Sequence, residues 1–282
     1  MKLGFTSNIF AQCLKSGQIR LDELLSLGKE LGLKAMEIRD DEVSLSEGEV
    51  GDLKGKADGL GIQLTYAIKN DLLTPGDEEK FRKALDRACL LGEWAVMRML
   101  LAQSALKAKK GYTREELGQL IGISCRYGSL AKEKQVLMAP EHAREPLMGD
   151  GVSYFGLGEY LAGTCLICAD SSAIKFTFDP ANATTTSLCT SPACGEEVLG
   201  FLETFQARIG LVHYKTTQGG VVQPVIGPGD VDHKRLLSRL HKLYTGILCL
   251  EIPGKPDLAS TRADFVSSLK FLEGEGLLPY FS

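Results

Sequence analysis

Eight short strand-like runs recur along the chain, and successive runs start about 28 to 40 residues apart. That interval is the length of one strand, one helix and their loops. The runs are KLGFT (2–6), KAMEIRD (34–40), IQLTYAI (62–68), AVMRMLL (95–101), QVLMAPE (135–141), IKFTFD (174–179), IGLVHYK (209–215) and GILCLEI (246–252). A regular repeat of this kind favours an α/β fold with a parallel sheet.

The segments between these runs change to the helical period. In LDELLSLGKELGLK (21–34), Leu21, Leu24, Leu25 and Gly28 fall on one stripe, and Gly32 is a helix stop. Similar stripes occur in EEKFRKALDRACLLG (78–92), VDHKRLLSRLHKLYTG (231–246) and STRADFVSSLKFLEGEG (260–276). The stripes predict helices that pack against a sheet.

Eight strand–helix units predict a (β/α)8 TIM barrel. No Pro-, Gly- or Ser-rich tract separates two halves, so we expect one domain over residues 1–282. The alternative, a doubly wound open sheet, is disfavoured because GFTSNIFAQCLKSG (4–17), around the first strand end, contains no G-x-G-x-x-G.

Bulk properties narrow the function classes. The net charge is −4 and no cluster of Lys and Arg stands out, so a nucleic-acid partner is not expected. No apolar run approaches the roughly 20 residues of a membrane helix. MKLGFTSNIF (1–10) has the pattern of a first strand rather than of a signal peptide. We therefore expect a cytoplasmic protein without a membrane partner.

The eight cysteines do not indicate a metal site or a disulfide framework. Cys165 and Cys168 form a C-x-x-C inside an apolar run, but no second pair lies at zinc-finger spacing. Cys189 and Cys194 lack histidine partners. The expectation is reduced and mostly buried thiols.

Four consecutive strands in the second half end in a metal-ligand type. They are Glu141 in MAPEH, Asp179 in FTFDPAN, His213 in LVHYK and Glu251 in LCLEI. Singly, each residue is explained by a turn or a structural hydrogen bond. Together they suggest one site, because the carboxyl ends of barrel strands meet at one face. A divalent cation held by three carboxylates and one imidazole would offset the cost of burying these groups.

At this point the chain resembles a known family. MAPEH, FTFDPANA, LVHYK and GDVDHKRLLSRLHKLYTGILCLEI look like the last four strands of the sugar phosphate isomerase/epimerase family, of the xylose isomerase-like TIM barrel superfamily. The likeness extends to the opening MKLGFTSNIF and LDELLSLGKELGLKAMEIRD. It implies Glu141, Asp179, His213 and Glu251 as ligands of Mn, Mg, Co or Zn. It also implies Glu141 and Glu251 as an acid/base pair, a sugar or polyol substrate, and a possible homo-oligomer.

Such a site suits proton transfer next to a carbonyl. The metal would stabilise the enediolate, and two carboxylates would remove and return the proton. A metal-dependent lyase that dehydrates an inosose would use the same first step, and a metabolite-binding barrel without catalysis remains a further alternative. The related zinc endonucleases need several more histidines than the four in this chain.

Five further residues are candidates for substrate binding. Lys215 suits a substrate carboxylate or phosphate. His142 directly follows a ligand candidate, and Asn182 stands where several relatives have a histidine. Glu37 and Arg98 end or interrupt apolar strands, where an ion pair is the structural alternative.

The chain also departs from the family pattern. Thr216 stands where many relatives have an aspartate after the strand lysine. His233 and His241 lie in the helix before the last strand, and we expect both at the surface.

Overall fold

The structure of the protein, a computed structural model, describes residues 1–40, 45–71, 77–100, 114–141, 163–164, 167–184, 200, 203–204 and 208–281. Its strands are β1 (Lys2–Thr6), β2 (Ala35–Arg39), β3 (Gln63–Asp71), β4 (Ala95–Leu100), β5 (Val136–Glu141), β6 (Phe176–Phe178), β7 (Ile209–Tyr214), β8 (Thr217–Gln218), β9 (Val221–Val222) and β10 (Ile247–Leu250).

Eight of these strands close into a parallel barrel, which confirms the predicted TIM barrel. Strands β1 to β7 pair in chain order, and β10 closes the circle between β7 and β1. Each of the eight predicted runs overlaps one barrel strand. The remaining two strands, β8 and β9, form a small antiparallel hairpin after β7.

The described helices are α1 (Ala11–Lys15), α2 (Leu21–Glu30), α3 (Glu47–Leu60), α4 (Asp77–Cys89), α5 (Arg114–Glu133), α6 (Pro180–Thr184), α7 (His233–Leu243) and α8 (Leu258–Gly274). Helix α3 begins with a reciprocal capping box between Ser46 and Glu49 and ends at Gly61, whose φ of 69° requires a residue tolerant of the left-handed region. None of the helices in this described part of the chain combines the length and apolar character needed to span a bilayer.

Side chains along each barrel strand alternate between two packing environments. In β2, Met36 and Ile38 belong to the large core between the barrel and the helices. Ala35 instead belongs to a separate apolar cluster, here named the barrel plug, with members Ala35, Val96, Ala139, Leu211, Ile247 and Cys249. Because the plug draws on five strands, it fills the barrel interior.

Five polar or charged residues share the inward face of the strands with the plug. Each lies two positions after a plug residue: Glu37, Arg98, Glu141, His213 and Glu251. Side-chain direction repeats every two residues, so all five point inward as well. All are buried. The barrel interior is therefore apolar at the level of the plug and charged near the carboxyl ends of the strands.

Gly4 of β1 lies in register with Ala35 and Cys249 of the plug. A Cβ at this position would come within 2.6 Å of the Ala35 carbonyl oxygen. The absence of a side chain thus permits β1 and β2 to approach closely at the plug level.

The cysteines differ from expectation. Cys125 of α5 and Cys168 form a disulfide, so the prediction of reduced thiols is wrong for both. Cys13 and Cys249 are free and buried, as predicted. Cys165, Cys189 and Cys194 lie outside the described residues.

His233 is buried, so its predicted surface position is wrong, whereas His241 is exposed. Tyr214 hydroxyl donates to His233 Nδ1, and His233 Nε2 donates to the Gly227 carbonyl at 2.7 Å. Burial lowers the pKa of His233, and this outweighs the Gly227 carbonyl and the charges of Asp232 and Glu275, which raise it. His233 is therefore held neutral between β7 and the loop before α7.

We expect His233 to make stability pH-dependent. Its folded pKa lies below the usual value of about 6.5. As the pH falls through about 6.5, the unfolded chain binds the proton first and stability decreases. Urea unfolding at pH 5.5 and 7.5 should show a smaller loss between the two values for His233→Gln than for the wild type. The matched variant His241→Gln, on the exposed part of the same helix, should retain the wild-type loss. An equal loss in His233→Gln and wild type would contradict this assignment.

Candidate metal centre

The four predicted metal ligands converge. Glu141 is the last residue of β5, His213 lies near the end of β7, and Asp179 and Glu251 directly follow β6 and β10. Each is buried, and each offers one ligand atom such that the four atoms lie within 4.8 Å of one another. The barrel geometry thus brings together residues that are up to 110 positions apart in the sequence.

Asp179 is fixed by the turn that follows it. Its Oδ1 accepts hydrogen bonds from the backbone N–H groups of Ala181 at 2.9 Å and Asn182 at 3.0 Å. Pro180 is the first residue of α6, where its missing N–H costs nothing. This N-cap arrangement occupies one carboxylate oxygen and leaves Oδ2 directed to the site.

His213 lies between carboxylates. Its Nε2 is 2.8 Å from Glu37 Oε2, while its Nδ1 is 3.0 Å from Glu141 Oε1 and 3.6 Å from Glu251 Oε2. Burial lowers the pKa of His213, but the charges of Glu37, Glu141 and Glu251 outweigh it and raise the pKa to about 10. The imidazole is thus oriented by Glu37 on one side, with Nδ1 facing the candidate ligands.

Lys215 lies between two of the candidate ligands. Its Nζ is 2.6 Å from Glu251 Oε2 and 2.6 Å from Asp179 Oδ2. The contact with Glu251 is a hydrogen bond, whereas Asp179 Oδ2 lacks hydrogen-bond alignment and is an ion-pair contact only. Burial lowers the pKa of Lys215, but Asp179 and Glu251 outweigh it, so the pKa is raised and the ammonium stays charged.

Two buried arginines form ion pairs with the three glutamates of the cluster. Arg39 donates to Glu37 Oε1 at 2.5 Å and also to Glu251. Arg98 donates through Nε to Glu141 Oε2 at 2.7 Å, and its Nη2 contacts the same oxygen. Its Nη1 is buried without a hydrogen-bond partner.

These cations keep the two glutamates ionised. Burial raises the pKa of Glu141, but Arg98 and His213 bring it well below the usual value. Burial likewise opposes ionisation of Glu251, and Lys215, His213 and Arg39 lower its pKa overall. For Asp179, burial dominates, and Glu141 and Glu251 add to it, so its pKa is raised despite Lys215.

Three observations indicate that this arrangement of side chains suits a divalent metal. Its donors are three carboxylates and one imidazole, which suit Mg, Mn, Co or Zn. Asp179 Oδ2 is buried and makes no hydrogen bond. A positive group, the Lys215 ammonium, already lies between two of the four residues. The pocket is thus shaped and charged for a cation.

Of the predicted substrate contacts, four lie in or beside this cluster. Glu37, Arg98 and Lys215 contact the four ligand candidates as described above, and Asn182 Nδ2 approaches Glu141 Oε1 at 3.4 Å. Glu37 and Arg98 therefore form ion pairs, which is the structural alternative to direct substrate binding for these two residues. His142 lies outside the described residues.

Arg39, the last residue of β2, belongs to the same network. The structure shows that it connects Glu37 to Glu251. Strand alternation contains the signal, because Arg39 shares the inward face of β2 with Ala35 and Glu37. Its partner Glu251 follows β10, on the other side of β1, and no sequence signal predicts this contact.

The comparisons with known proteins agree with this fold. The sequence matches the family model of the xylose isomerase-like TIM barrel over residues 25–274, so the chain belongs to this family. Among curated proteins, none matches the sequence significantly.

Solved structures of sugar epimerases and isomerases share the fold. A D-psicose 3-epimerase from Clostridium cellulolyticum H10 has 15% identity and a TM-score of 0.70, covering 97% of this chain and 98% of that chain. An L-ribulose 3-epimerase has 14% identity and a TM-score of 0.70, covering 99% and 95%. A sugar phosphate isomerase/epimerase from Parabacteroides distasonis ATCC 8503 has 16% identity and a TM-score of 0.69, covering 100% and 96%. At these identities the likeness establishes the fold.

The ion pairs predict unequal costs of arginine removal. Arg98→Met leaves Glu141 buried without its guanidinium and should lower the free energy of unfolding by about 3–5 kcal/mol. The control Arg82→Met removes an exposed pair with Glu78 and should cost less than about 1 kcal/mol. Urea unfolding at pH 7 measures both. Equal costs for the two variants would show that the Arg98 pair does not stabilise the barrel.

Proposed function

We propose that the protein is a metal-dependent isomerase or epimerase of a sugar, polyol or related hydroxy-carbonyl compound. The observation that supports this most is the convergence of Glu141, Asp179, His213 and Glu251 at the mouth of the barrel. The epimerase and isomerase neighbours share the barrel and point to the same reaction class.

The four residues would hold the metal through three carboxylates and the Nδ1 of His213. A bound divalent ion would supply positive charge to stabilise an oxyanion beside the carbon that loses its proton. Glu37 keeps the imidazole oriented for this role through its contact with Nε2. Asn182 and Pro180 hold the Asp179 carboxylate in place through the turn after β6.

Glu141 and Glu251 are the proposed acid/base pair. They enter from β5 and β10, which are separated around the barrel by β6 and β7, yet both carboxylates approach His213 Nδ1. Proton removal on one side of a carbon and return on the other needs two carboxylates of this kind. Arg98 keeps Glu141 ionised, and Arg39 with Lys215 keeps Glu251 ionised, which is the state required of a base.

Lys215, Asn182, Arg98, Glu37 and His142 remain the proposed substrate contacts. Lys215 is the only lysine beside the four ligand candidates within the described residues, and its ammonium suits a substrate carboxylate, phosphate or hydroxyl. Glu37 and Arg98 act on the substrate through the groups they orient, since their charged atoms already contact His213 and Glu141.

Proton NMR in D₂O tests the reaction. A panel of ketoses, aldoses and inososes is incubated with the protein and Mn²⁺, which is removed before the spectra are recorded. We expect deuterium at the carbon next to the carbonyl and a product with no loss of water. A product that has lost water would make the protein a lyase. Tight binding without exchange or product would make it a binding barrel.

Removal of either carboxylate should abolish most activity. Glu141→Gln and Glu251→Gln are each expected to lower kcat by about 10²- to 10⁴-fold, because a proton-transferring group is lost. Glu115→Gln, an exposed position of α5, is the matched control and should retain wild-type kcat. A chelator should remove activity and Mn²⁺ should restore it. Unchanged kcat in both site variants would refute the assigned roles.

A further inference from the structure

We propose that Lys215 is a built-in competitor of the metal: its ammonium occupies the cation position between Asp179 and Glu251, and metal entry displaces it. This inference rests on the proposed metal site and adds to it how the site opens. It gives Lys215 a role before the substrate binds.

The position of the Lys215 ammonium between two proposed ligands supports this competition. Lys215 Nζ is 2.6 Å from both Asp179 Oδ2 and Glu251 Oε2, and these two residues are half of the proposed ligand set. Asp179 Oδ1 is occupied by two backbone N–H groups, so Oδ2 is the oxygen left for a metal. An ion that binds this oxygen and Glu251 would lie close to the ammonium, and the two positive charges would repel each other.

The net charge of the buried cluster also favours displacement of Lys215 by a metal. The cluster holds four carboxylates, of Glu37, Glu141, Asp179 and Glu251, and three permanent cations, of Arg39, Arg98 and Lys215. When His213 gives up its proton to solvent to act as a metal ligand, the remaining groups carry one net negative charge. A divalent ion added beside the ammonium would leave net positive charge in a buried space, which is costly. A metal with Lys215 withdrawn leaves the cluster neutral.

Among the three cations, lysine is the one able to move. Arg39 and Arg98 hold their carboxylates through a planar guanidinium, and their ion pairs are with Glu37, Glu251 and Glu141 rather than with Asp179. Lys215 has a flexible four-carbon stem and a compact charge. Lys215 directly follows β7 at the barrel mouth, the face where substrates of such barrels bind, so its withdrawal from the carboxylates needs no passage through the apolar interior.

Metal affinity tests the proposal. Isothermal titration with Mn²⁺ at fixed pH and ionic strength compares the wild type with Lys215→Met. A tethered competitor lowers the apparent affinity in proportion to the fraction of time the site is open. We expect Lys215→Met to bind Mn²⁺ about tenfold or more tightly, within the usual range of coupling between neighbouring sites. Lys175→Met is the matched control and should change affinity little. It removes one positive charge just before β6, whereas Asp179 lies just after the other end of that strand.

Chemical labelling reads the displacement directly in the wild type. Acetic anhydride labelling with mass spectrometry measures the reactivity of Lys215 against exposed lysines such as Lys83. We expect saturating Mn²⁺ to raise the relative labelling of Lys215. If Lys215→Met fails to fold without metal, Lys215→Gln and this labelling decide the question. No rise in labelling would overturn the proposal.

The outcomes separate this inference from the proposed function. Equal Mn²⁺ affinity in wild type and Lys215→Met would overturn the competition and leave the metal site intact. No Mn²⁺ binding in either protein would overturn both. Tighter binding in Lys215→Met, with no isomerisation or epimerisation by the Mn²⁺-loaded wild type, would support the competition and overturn the proposed function.

Discussion

The structure depends on the balance of charge inside the barrel mouth. Four carboxylates are buried there together with two arginines, a lysine and a histidine. Each carboxylate has at least one cationic partner at ion-pair distance, which offsets the cost of burying its charge. The same network that stabilises the barrel therefore sets the ionisation of the groups proposed to bind metal and move protons.

Much of this site follows from strand alternation. Glu141, His213 and Glu251 each lie two residues beyond an apolar plug residue, so they share its inward face. Asp179 follows strand β6 at the turn that Pro180 starts. Because parallel strands in a barrel end at one face, the sequence alone predicts that these four residues meet. Their identity as ligand types then predicts a cation.

Other features depend on neighbours that the sequence does not reveal. The pairing of β2 and β10 on either side of β1 places Arg39 beside Glu251, and helix α7 brings His233 to Tyr214. The helical pattern alone assigns His233 no buried partner, so it predicted exposure. The pairing of Cys125 with Cys168 likewise depends on how α5 packs beside the segment before β6. Lys215 was predicted as a substrate contact, but its place between Asp179 and Glu251 emerges only in three dimensions.

The central claim is that these side chains form one metal site, and crystallography tests it most directly. Crystals soaked in Mn²⁺ are measured at a wavelength where manganese scatters anomalously. The account predicts one strong anomalous peak about 2.0–2.6 Å from oxygen atoms of Glu141, Asp179 and Glu251 and from Nδ1 of His213. An empty anomalous map at this position, or a peak bound only elsewhere, would contradict it.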